Sequence, residues 1–234
     1  MTGPGRLFDE YASDYDSTIQ RAIGASGESV EFFARLRARL IARTLGSTDD
    51  YLSMLDFGCG IGNMTRAVAQ LFPRAEFVGT DLSEQSLANA RRLTSEPGRI
   101  RFVATPSDRL PFEGRTFDVA FTSGVFHHIE PADRLHWAKE LRRVLKPGGR
   151  FFLFEHNPLN PLTVRVVRSI PFDRGVVLLR ARYSVRLLRD AGFTPSPPHY
   201  YFFFPRFLRA LRSLERLLRR MPAGAQYFVV GQSR

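Results

Sequence analysis

The amino-acid sequence predicts an α/β fold built on a doubly wound, mostly parallel sheet. A strand-like run from Tyr51 to Phe57 leads into a glycine turn, and a helical stretch from Met64 to Phe72 follows it. Further short apolar runs alternate with helical stretches along the chain. The 234 residues are 44% hydrophobic and 24% charged, which suits a folded domain with a sizeable core.

The glycine turn predicts a nucleotide-binding crossover. Gly58, Gly60 and Gly62 stand at alternate positions. Glycine lets the chain turn tightly and lets its backbone approach a ligand, and the helix that follows directs free N–H groups at it. A dinucleotide fingerprint requires glycine where this chain has Asn63, which disfavours a nicotinamide-dependent dehydrogenase.

Two helical stretches are predicted before the turn. Arg6 to Ile23 places Phe8, Tyr11 and Tyr15 on one face. Glu28 to Leu45 has apolar residues on one side and arginines on the other, as expected of a helix packed on a sheet.

After the turn, a second strand from Ala75 to Thr80 ends at Asp81. A carboxylate at this position suits two adjacent ribose hydroxyls, because it accepts a hydrogen bond from each. Ser83 is the expected N-cap of a helix from Glu84 to Leu93, and Arg99 to Ala104 is the third strand.

The next two strands end in polar residues. Thr116 to Thr122 leads to Ser123, and a helix from Pro131 to Leu145 precedes the strand from Arg150 to Glu155. Because parallel sheets bind ligands at the carboxyl ends of their strands, we expect the site there.

The last part of the chain predicts three helices and two strands. The helices span 163–169, 184–191 and 205–221, and the strands span 199–204 and 225–231. The helix from Pro205 to Met221 carries leucines on one side and arginines around the other. No repeat or linker divides the chain, so we expect a single domain, 1–234.

An ordered set of motifs resembles the class I S-adenosylmethionine-dependent methyltransferases over roughly residues 6–156. It comprises Asp56 with the three glycines, Asp81, Leu110-Pro111-Phe112, Phe117-Asp118, His127-His128 and Leu145-Lys146-Pro147-Gly148-Gly149. The resemblance implies a Rossmann-like seven-stranded sheet with an antiparallel last strand and helical cap elements. It also implies N-terminal cap helices in 1–45, a cofactor-binding core in 50–156 and an acceptor-side elaboration in 157–234.

The resemblance implies S-adenosylmethionine as cofactor and S-adenosylhomocysteine as product. Asp56 is expected at the methionine amino group, Asp81 at the ribose and Leu82 on adenine. The full set expected to bind cofactor is Tyr15, Asp56, Gly58, Cys59, Gly60, Asp81, Leu82, Ser107, Asp108, Thr122 and Ser123.

One position departs from the family pattern. Pro106 stands where the family places an aspartate that accepts from the adenine amino group. Either Asp108 or Ser107 takes over that contact.

The acceptor is expected beside the ends of the fourth and fifth strands. The residues expected to contact it are Tyr11, Phe126, His127 and Glu155. If the acceptor is a hydroxyl, the candidate bases are His127, His128 and His156, and we favour His156 with Glu155 as its partner, because an imidazole titrates near neutral pH. A structural or cofactor-side role remains open for His128, and other acceptors need positioning alone. The spacing of Cys and His predicts no metal site.

The expected acceptor is a small molecule: a secondary metabolite, a sugar derivative or a lipid-like compound. Arg165, Arg168, Arg180 and Arg182 either recognise an acidic or phosphate group on it or form a solvated face. Ser123 to Phe126 lacks the paired prolines typical of enzymes that methylate base amines, which argues against nucleic acid.

A competing interpretation is a protein that binds RNA or a membrane surface on a methyltransferase-like scaffold. The net charge of +11 and the arginines of 205–221 motivate it. Alternatively, the leucines of that helix pack on the domain or form a homodimer.

The sequence predicts a cytoplasmic protein. Its single cysteine, Cys59, has no disulfide partner within the chain. No 18-residue apolar run suits a membrane span, and Met1 to Leu7 has no signal-peptide core.

Overall fold

The computed structural model describes residues 15–106 and 108–234, without the side chain of Tyr15. The strands are β1 Ser53–Phe57, β2 Glu76–Asp81, β3 Ile100–Ala104, β4 Phe117–Ser123, β5 Leu145–His156, β6 Phe193–Pro195, β7 His199–Tyr201 and β8 Gln226–Ser233. The α-helices are α1 Tyr15–Ala22, α2 Val30–Leu45, α3 Asn63–Ala69, α4 Glu84–Arg92, α5 Arg134–Val144, α6 Pro161–Ser169, α7 Ala181–Asp190 and α8 Glu215–Leu218. Three 3₁₀ segments cover Gly24–Ser26, Pro171–Asp173 and Arg206–Leu214.

The strands form one mixed sheet in the order β3-β2-β1-β4-β5-β8-β6, with β7 also paired to β8. Strands β1 to β5 are parallel, and β8 runs antiparallel to β5. The predicted Rossmann-like class with an antiparallel last strand is therefore confirmed. The described residues form eight strands rather than seven, because the sequence analysis missed the short strand β6.

The core lies on both faces of the sheet. Neighbouring residues of β1 alternate between the faces: Met54 packs in the cluster beneath α2 and α3, and Leu55 packs in the cluster beneath α5 and α7. This alternation follows from the two-residue period of a strand. Most of the phenylalanines pack in this core. The rings of Phe152, Phe154 and Phe228, for example, contact one another.

Side-chain caps determine where several helices begin. The Ser83 hydroxyl accepts from the Ser86 N–H, as predicted, and Ser29 accepts from Phe32. Asn160 caps α6 in the same way, with Pro161 at its first position. These bonds satisfy N–H groups that a helix leaves unpaired at its start.

The predicted α-helix from Pro205 to Met221 is wrong. Its first part is a 3₁₀ segment with non-helical dihedrals at Leu208, and only four residues, Glu215–Leu218, are α-helical. Helices gain most of their stability from burying an apolar face, and here Leu217 is 81% exposed. The predicted strand 199–204 is also shorter, since it stops at Tyr201 before Phe202, whose φ is +57°.

Among the described residues, no helix combines the length and apolar character needed to cross a bilayer.

Candidate active site

The glycine turn adopts a conformation that glycine favours. Gly58, Gly60 and Gly62 have φ of 72°, 52° and 77°. A Cβ on Gly58 would lie 2.4 Å from a methyl group of Val125. The turn is held to the end of β2 because the N–H groups of Gly58 and Cys59 both donate to the Thr80 carbonyl.

A hollow of about 440 Å³ opens above this turn, and we call it the glycine-turn hollow. Its volume lies within the range of small-molecule sites. It is lined by Phe57, Gly58, Gly60, Ile61, Asp81, Leu82, Ser86, Thr105, Ser123, Gly124, Val125, His128, Ile129, Glu130, Asp133 and Trp137.

Two polar groups of this hollow suit a ligand. Asp81 is held in place because its carboxylate accepts from the N–H groups of Gly60 at 2.8 Å and Ser83 at 2.9 Å. The Thr105 hydroxyl oxygen is buried and has no hydrogen-bond partner in the protein. A buried polar atom without a partner is costly, so a ligand that pairs with it is favoured.

A second hollow of about 160 Å³ lies on the other side of the turn, and we call it the histidine hollow. His127, His128, His156, Asp173 and Asp56 line it together with Arg37, Cys59, Asn63 and Gln226. Its apolar walls are Ile19, Ile23, Val30, Phe33, Ala34, Met64, Val166, Ile170 and Phe172. The two hollows share Gly58, Gly60, Ile61, Ser123, Gly124 and His128.

Three histidines and two carboxylates form a cluster beside the histidine hollow. His127 Nδ1 lies 2.8 Å from Glu155 Oε2, and its Nε2 lies 3.9 Å from Asp173 Oδ1. His128 Nε2 lies 3.1 Å from the same Asp173 oxygen. The His156 ring is centred 5.4 Å from that of His127.

The charges in this cluster shift its pKa values in opposite directions. Burial lowers the pKa of His127, but the Glu155 charge and the Asp173 carboxylate outweigh it and raise that pKa to about 9. Burial raises the pKa of Glu155 and of Asp173, but the nearby imidazoles outweigh it and hold both below their usual values. Burial lowers the pKa of His128 and takes that of His156 to about 4.

Asp56 lies beneath the turn and is 2% exposed. It accepts a hydrogen bond of 2.6 Å from the Thr65 hydroxyl. Burial nevertheless raises its pKa to about 7, and the Asp81 charge adds to this effect.

Comparisons with known proteins agree with this geometry. A family model described as a methyltransferase domain matches residues 54–149. The chain is 34% identical over 161 residues to a demethylmenaquinone methyltransferase of Clavibacter sepedonicus, covering 68% of this chain and 60% of the relative. It is 32% identical over 150 residues to squalene methyltransferase 1 of Botryococcus braunii, covering 60% of this chain and 38% of the relative.

A solved structure shares the fold. It is a chain from the complex between the Haloferax volcanii Trm112 methyltransferase activator and a methyltransferase, with a TM-score of 0.68, 22% identity and 97% coverage of both chains. Residues 54–149 therefore belong to the class I S-adenosylmethionine-dependent methyltransferase family. The chain spans about half the length of the curated relatives that it matches.

The fold brings most of the predicted site residues together. The predicted residues that line one or both hollows are Asp56, Gly58, Cys59, Gly60, Asp81, Leu82, Ser123, His127, His128 and His156. The predicted pairing of Glu155 with His156 is wrong, because Glu155 pairs with His127 and lies behind that ring. Burial raises the pKa of the Cys59 thiol well above its usual value, so the thiol stays protonated.

Three predicted residues are placed elsewhere. Phe126 is fully buried in the core against Phe57, and the Thr122 hydroxyl donates to the Phe57 carbonyl between two strands. Asp108 is exposed, and among the described residues it lines neither hollow. Tyr11, Ser107 and the side chain of Tyr15 lie outside the described residues.

Thr105 and Asp173 are two of the polar lining residues that the sequence analysis did not predict. Thr105 directly follows the third strand, and its position at a strand end is a signal that points to the site. Asp173 stands in a 3₁₀ segment after α6, where no local pattern marks it. Only the packing of α6 brings it to the histidines.

Proposed function

We propose that this protein transfers the methyl group of S-adenosylmethionine to an apolar, lipid-like small molecule whose reactive end enters the histidine hollow. The observation that carries the proposal is that the two hollows share the glycine turn, Ser123-Gly124 and His128. Ligands in the two hollows therefore meet at that shared wall. Methyl transfer is an in-line displacement, and holding two reactants in such contact contributes about 7–11 kcal/mol.

The cofactor fits the glycine-turn hollow. Asp81 pairs with the ribose hydroxyls and Leu82 covers the adenine. The unpaired Thr105 hydroxyl supplies a further hydrogen bond on the adenine side, where Pro106 cannot. The methionine end of the cofactor extends past the shared wall to Asp56, which lines the histidine hollow and binds its amino group directly or through water.

The acceptor site favours a lipid-like compound over a sugar derivative. Aliphatic and aromatic side chains from α1, α2 and α6 wall the histidine hollow. Arg165 and Arg168 line a separate depression at Pro158–Ser169, so they do not support an anionic group inside the hollow. The names of the two relatives, squalene methyltransferase and demethylmenaquinone methyltransferase, point to apolar acceptors.

His128 is the histidine best placed to contact the reacting atoms, since it lines both hollows. His156 lines only the histidine hollow and faces the acceptor side. A reaction at a hydroxyl or an acidic carbon needs one proton removed, and a base contributes ~10²–10⁴-fold in rate.

Calorimetry with S-adenosylhomocysteine tests cofactor binding. We expect the wild type to bind, Asp81→Ala to bind at least roughly ten times more weakly, and Thr105→Val to lose about fivefold, as removal of a charged and a neutral hydrogen bond does. Asp108→Ala is the matched control and should bind like wild type. Absence of binding by the wild type, or equal binding by Asp81→Ala, refutes the cofactor assignment.

Transfer of a radiolabelled methyl group tests the acceptor. Prenylated quinones and triterpenes should be labelled, whereas nucleotide sugars should not. Labelling of the sugars alone contradicts the lipid-like assignment.

A second candidate function is attachment to an anionic membrane surface. Phe207 and Leu217 are 79% and 81% exposed in a segment whose arginines at 206, 209, 216, 219 and 220 are also exposed. Exposed apolar side chains among cations favour a lipid surface over RNA.

A further inference from the structure

We propose that His127, His128 and Asp173 bind one divalent transition-metal cation, with an open coordination position toward the histidine hollow. The binding of the metal stands on the geometry of the cluster. Its role in orienting an acceptor oxygen rests on the proposed function.

The three donor atoms converge on one point. One ring nitrogen of each histidine and one carboxylate oxygen of Asp173 all lie within 4.8 Å of one another. The two distances to Asp173 Oδ1 are 3.1 Å and 3.9 Å. Ligands at about 2.1 Å from a tetrahedral metal stand about 3.4 Å apart, so modest side-chain shifts complete the site.

One oxygen of Asp173, Oδ1, is buried among these groups without a hydrogen bond. Asp173 is 5% exposed, and its Oδ1 makes no hydrogen bond although two imidazole nitrogens are near. Buried carboxylate oxygens without a partner are rare in folded proteins. A cation between the three groups satisfies it.

Glu155 orients His127 as outer-shell carboxylates orient metal ligands. Glu155 Oε2 lies 2.8 Å from His127 Nδ1, and this contact places the other ring nitrogen, Nε2, on the side of Asp173. Metal-binding histidines commonly donate their other ring N–H to a carboxylate in this way.

The charge balance of the cluster also calls for a cation. Both carboxylates of the cluster are buried, since Glu155 is 2% and Asp173 is 5% exposed. Buried charges need compensation, and a divalent ion compensates both carboxylates.

The donor set indicates the class of metal. Two imidazole nitrogens and one carboxylate oxygen suit Zn²⁺, Fe²⁺ or Mn²⁺ better than Ca²⁺, which prefers oxygen ligands. Three protein ligands leave a further position for water or substrate. All three line the histidine hollow, so that position faces the acceptor.

Zinc binding to tag-free, full-length protein tests this site. We expect about one Zn²⁺ per chain by elemental analysis and calorimetry, with affinity reduced at least ~100-fold in Asp173→Asn and in His128→Gln. Glu155→Gln should bind about 10–100-fold more weakly, because it removes only the outer-shell partner. His136→Gln is the matched control, since His136 is placed away from the cluster and bonds the Asp108 carbonyl.

Two further readouts separate metal binding from folding and from methyl transfer. Co²⁺ should give visible absorption bands in the wild type and in His136→Gln but not in Asp173→Asn. Asp173→Asn should show a cooperative thermal unfolding transition, as a folded protein does. It should also keep its affinity for S-adenosylhomocysteine.

Absence of stoichiometric zinc in the wild type overturns the proposal, whatever the variants do. Equal zinc affinity in wild type and in Asp173→Asn also overturns it. In either case a proton on His127, shared between Glu155 and Asp173, explains the cluster. Because cofactor binding is measured separately, neither outcome bears on the proposed methyl transfer.

Discussion

Asp56 shows how the environment of one residue decides its protonation. The carboxyl is nearly inaccessible, and its hydrogen bond from Thr65 compensates only part of the cost of burying a charge. With a pKa of about 7 in the ligand-free protein, it is largely protonated in mildly acidic solution. A bound ammonium group favours the ionised form.

This predicts pH-dependent cofactor affinity. Binding of S-adenosylhomocysteine should strengthen as pH rises toward about 7, by up to about tenfold per pH unit, because below that value Asp56 must lose a proton to bind the ammonium. Calorimetry from roughly pH 5.5 to pH 8.5 measures it. The slope should be absent in Asp56→Asn, and an unchanged slope in that variant contradicts the assignment.

The raised pKa of Asp56 also determines whether this residue stabilises or destabilises the folded protein as pH rises. Between the ordinary value of 3.8 and about 7, folded protein holds a proton on Asp56 that unfolded protein has lost. The contribution of Asp56 to the free energy of unfolding therefore falls as pH rises through that window.

At this scale, sequence reasoning succeeded where a residue's position in a motif fixes its surroundings. Asp81 and Ser123 follow strands that end at the site, so their placement could be predicted. The sequence could not show that Phe126 lies in the core while neighbouring residues line the hollow. In a loop after a strand, a shift of one residue is enough to turn a side chain from one to the other. Asp173 could not be predicted as a site residue, since its partners are distant in the sequence.

At the scale of elements, the segment after β7 depends on one side chain. The Glu215 carboxylate accepts the backbone N–H groups of Phe202, Phe203 and Phe204 at 3.0–3.2 Å. It thereby holds the loop in which Phe202 has a left-handed backbone. Phe202 in turn packs on Phe33 of α2, with ring centroids 4.7 Å apart.

Replacing this acceptor should destabilise the protein. Glu215→Ala leaves three partly buried N–H groups without their partner, and we expect a loss of about 1–3 kcal/mol in the free energy of unfolding. Urea denaturation measures it. Glu31→Ala, which removes an exposed pair with Arg35, should cost less than about 0.5 kcal/mol. Equal losses in the two variants contradict the role given to Glu215.

The pattern of leucines and arginines in 205–221 predicts one α-helix, but the structure has a 3₁₀ segment followed by one short α-helix. Periodicity indicates which side chains share a face, but it cannot show whether a surface exists to receive that face. The described part of the chain leaves Phe207 and Leu217 exposed, so the packing that sustains an α-helix is missing.

At the scale of the whole molecule, a net charge of +11 accompanies this exposed apolar segment. Anionic lipid attracts cations close to its surface, and apolar side chains enter the headgroup layer. An apolar acceptor would then be available where the enzyme binds.

Vesicle sedimentation tests this arrangement. Wild type should sediment with phosphatidylglycerol vesicles more than with phosphatidylcholine vesicles, and less at high salt. The double variant Phe207→Ser, Leu217→Ser should lose most of this binding but keep its affinity for S-adenosylhomocysteine. Tyr51→Ser, at an equally exposed aromatic residue stacked on Arg74, is the control. Equal binding of both vesicle types, or binding of RNA alone, contradicts it.

The sequence by itself determined the fold class, the family resemblance and the placement of the glycine turn and Asp81 beside one hollow. These depend on local features: alternation of apolar runs, glycines that permit positive φ, and carboxylates at strand ends. Such features act over a few residues and can be read from their order along the chain.

Only the tertiary structure decided how the histidine hollow is built. It placed Asp173 against His127 and His128, left the Thr105 hydroxyl without a partner, and set α1, α2 and α6 around an apolar hollow. These relations join residues far apart in the sequence. They arise when helices pack on the sheet, and no local pattern encodes them.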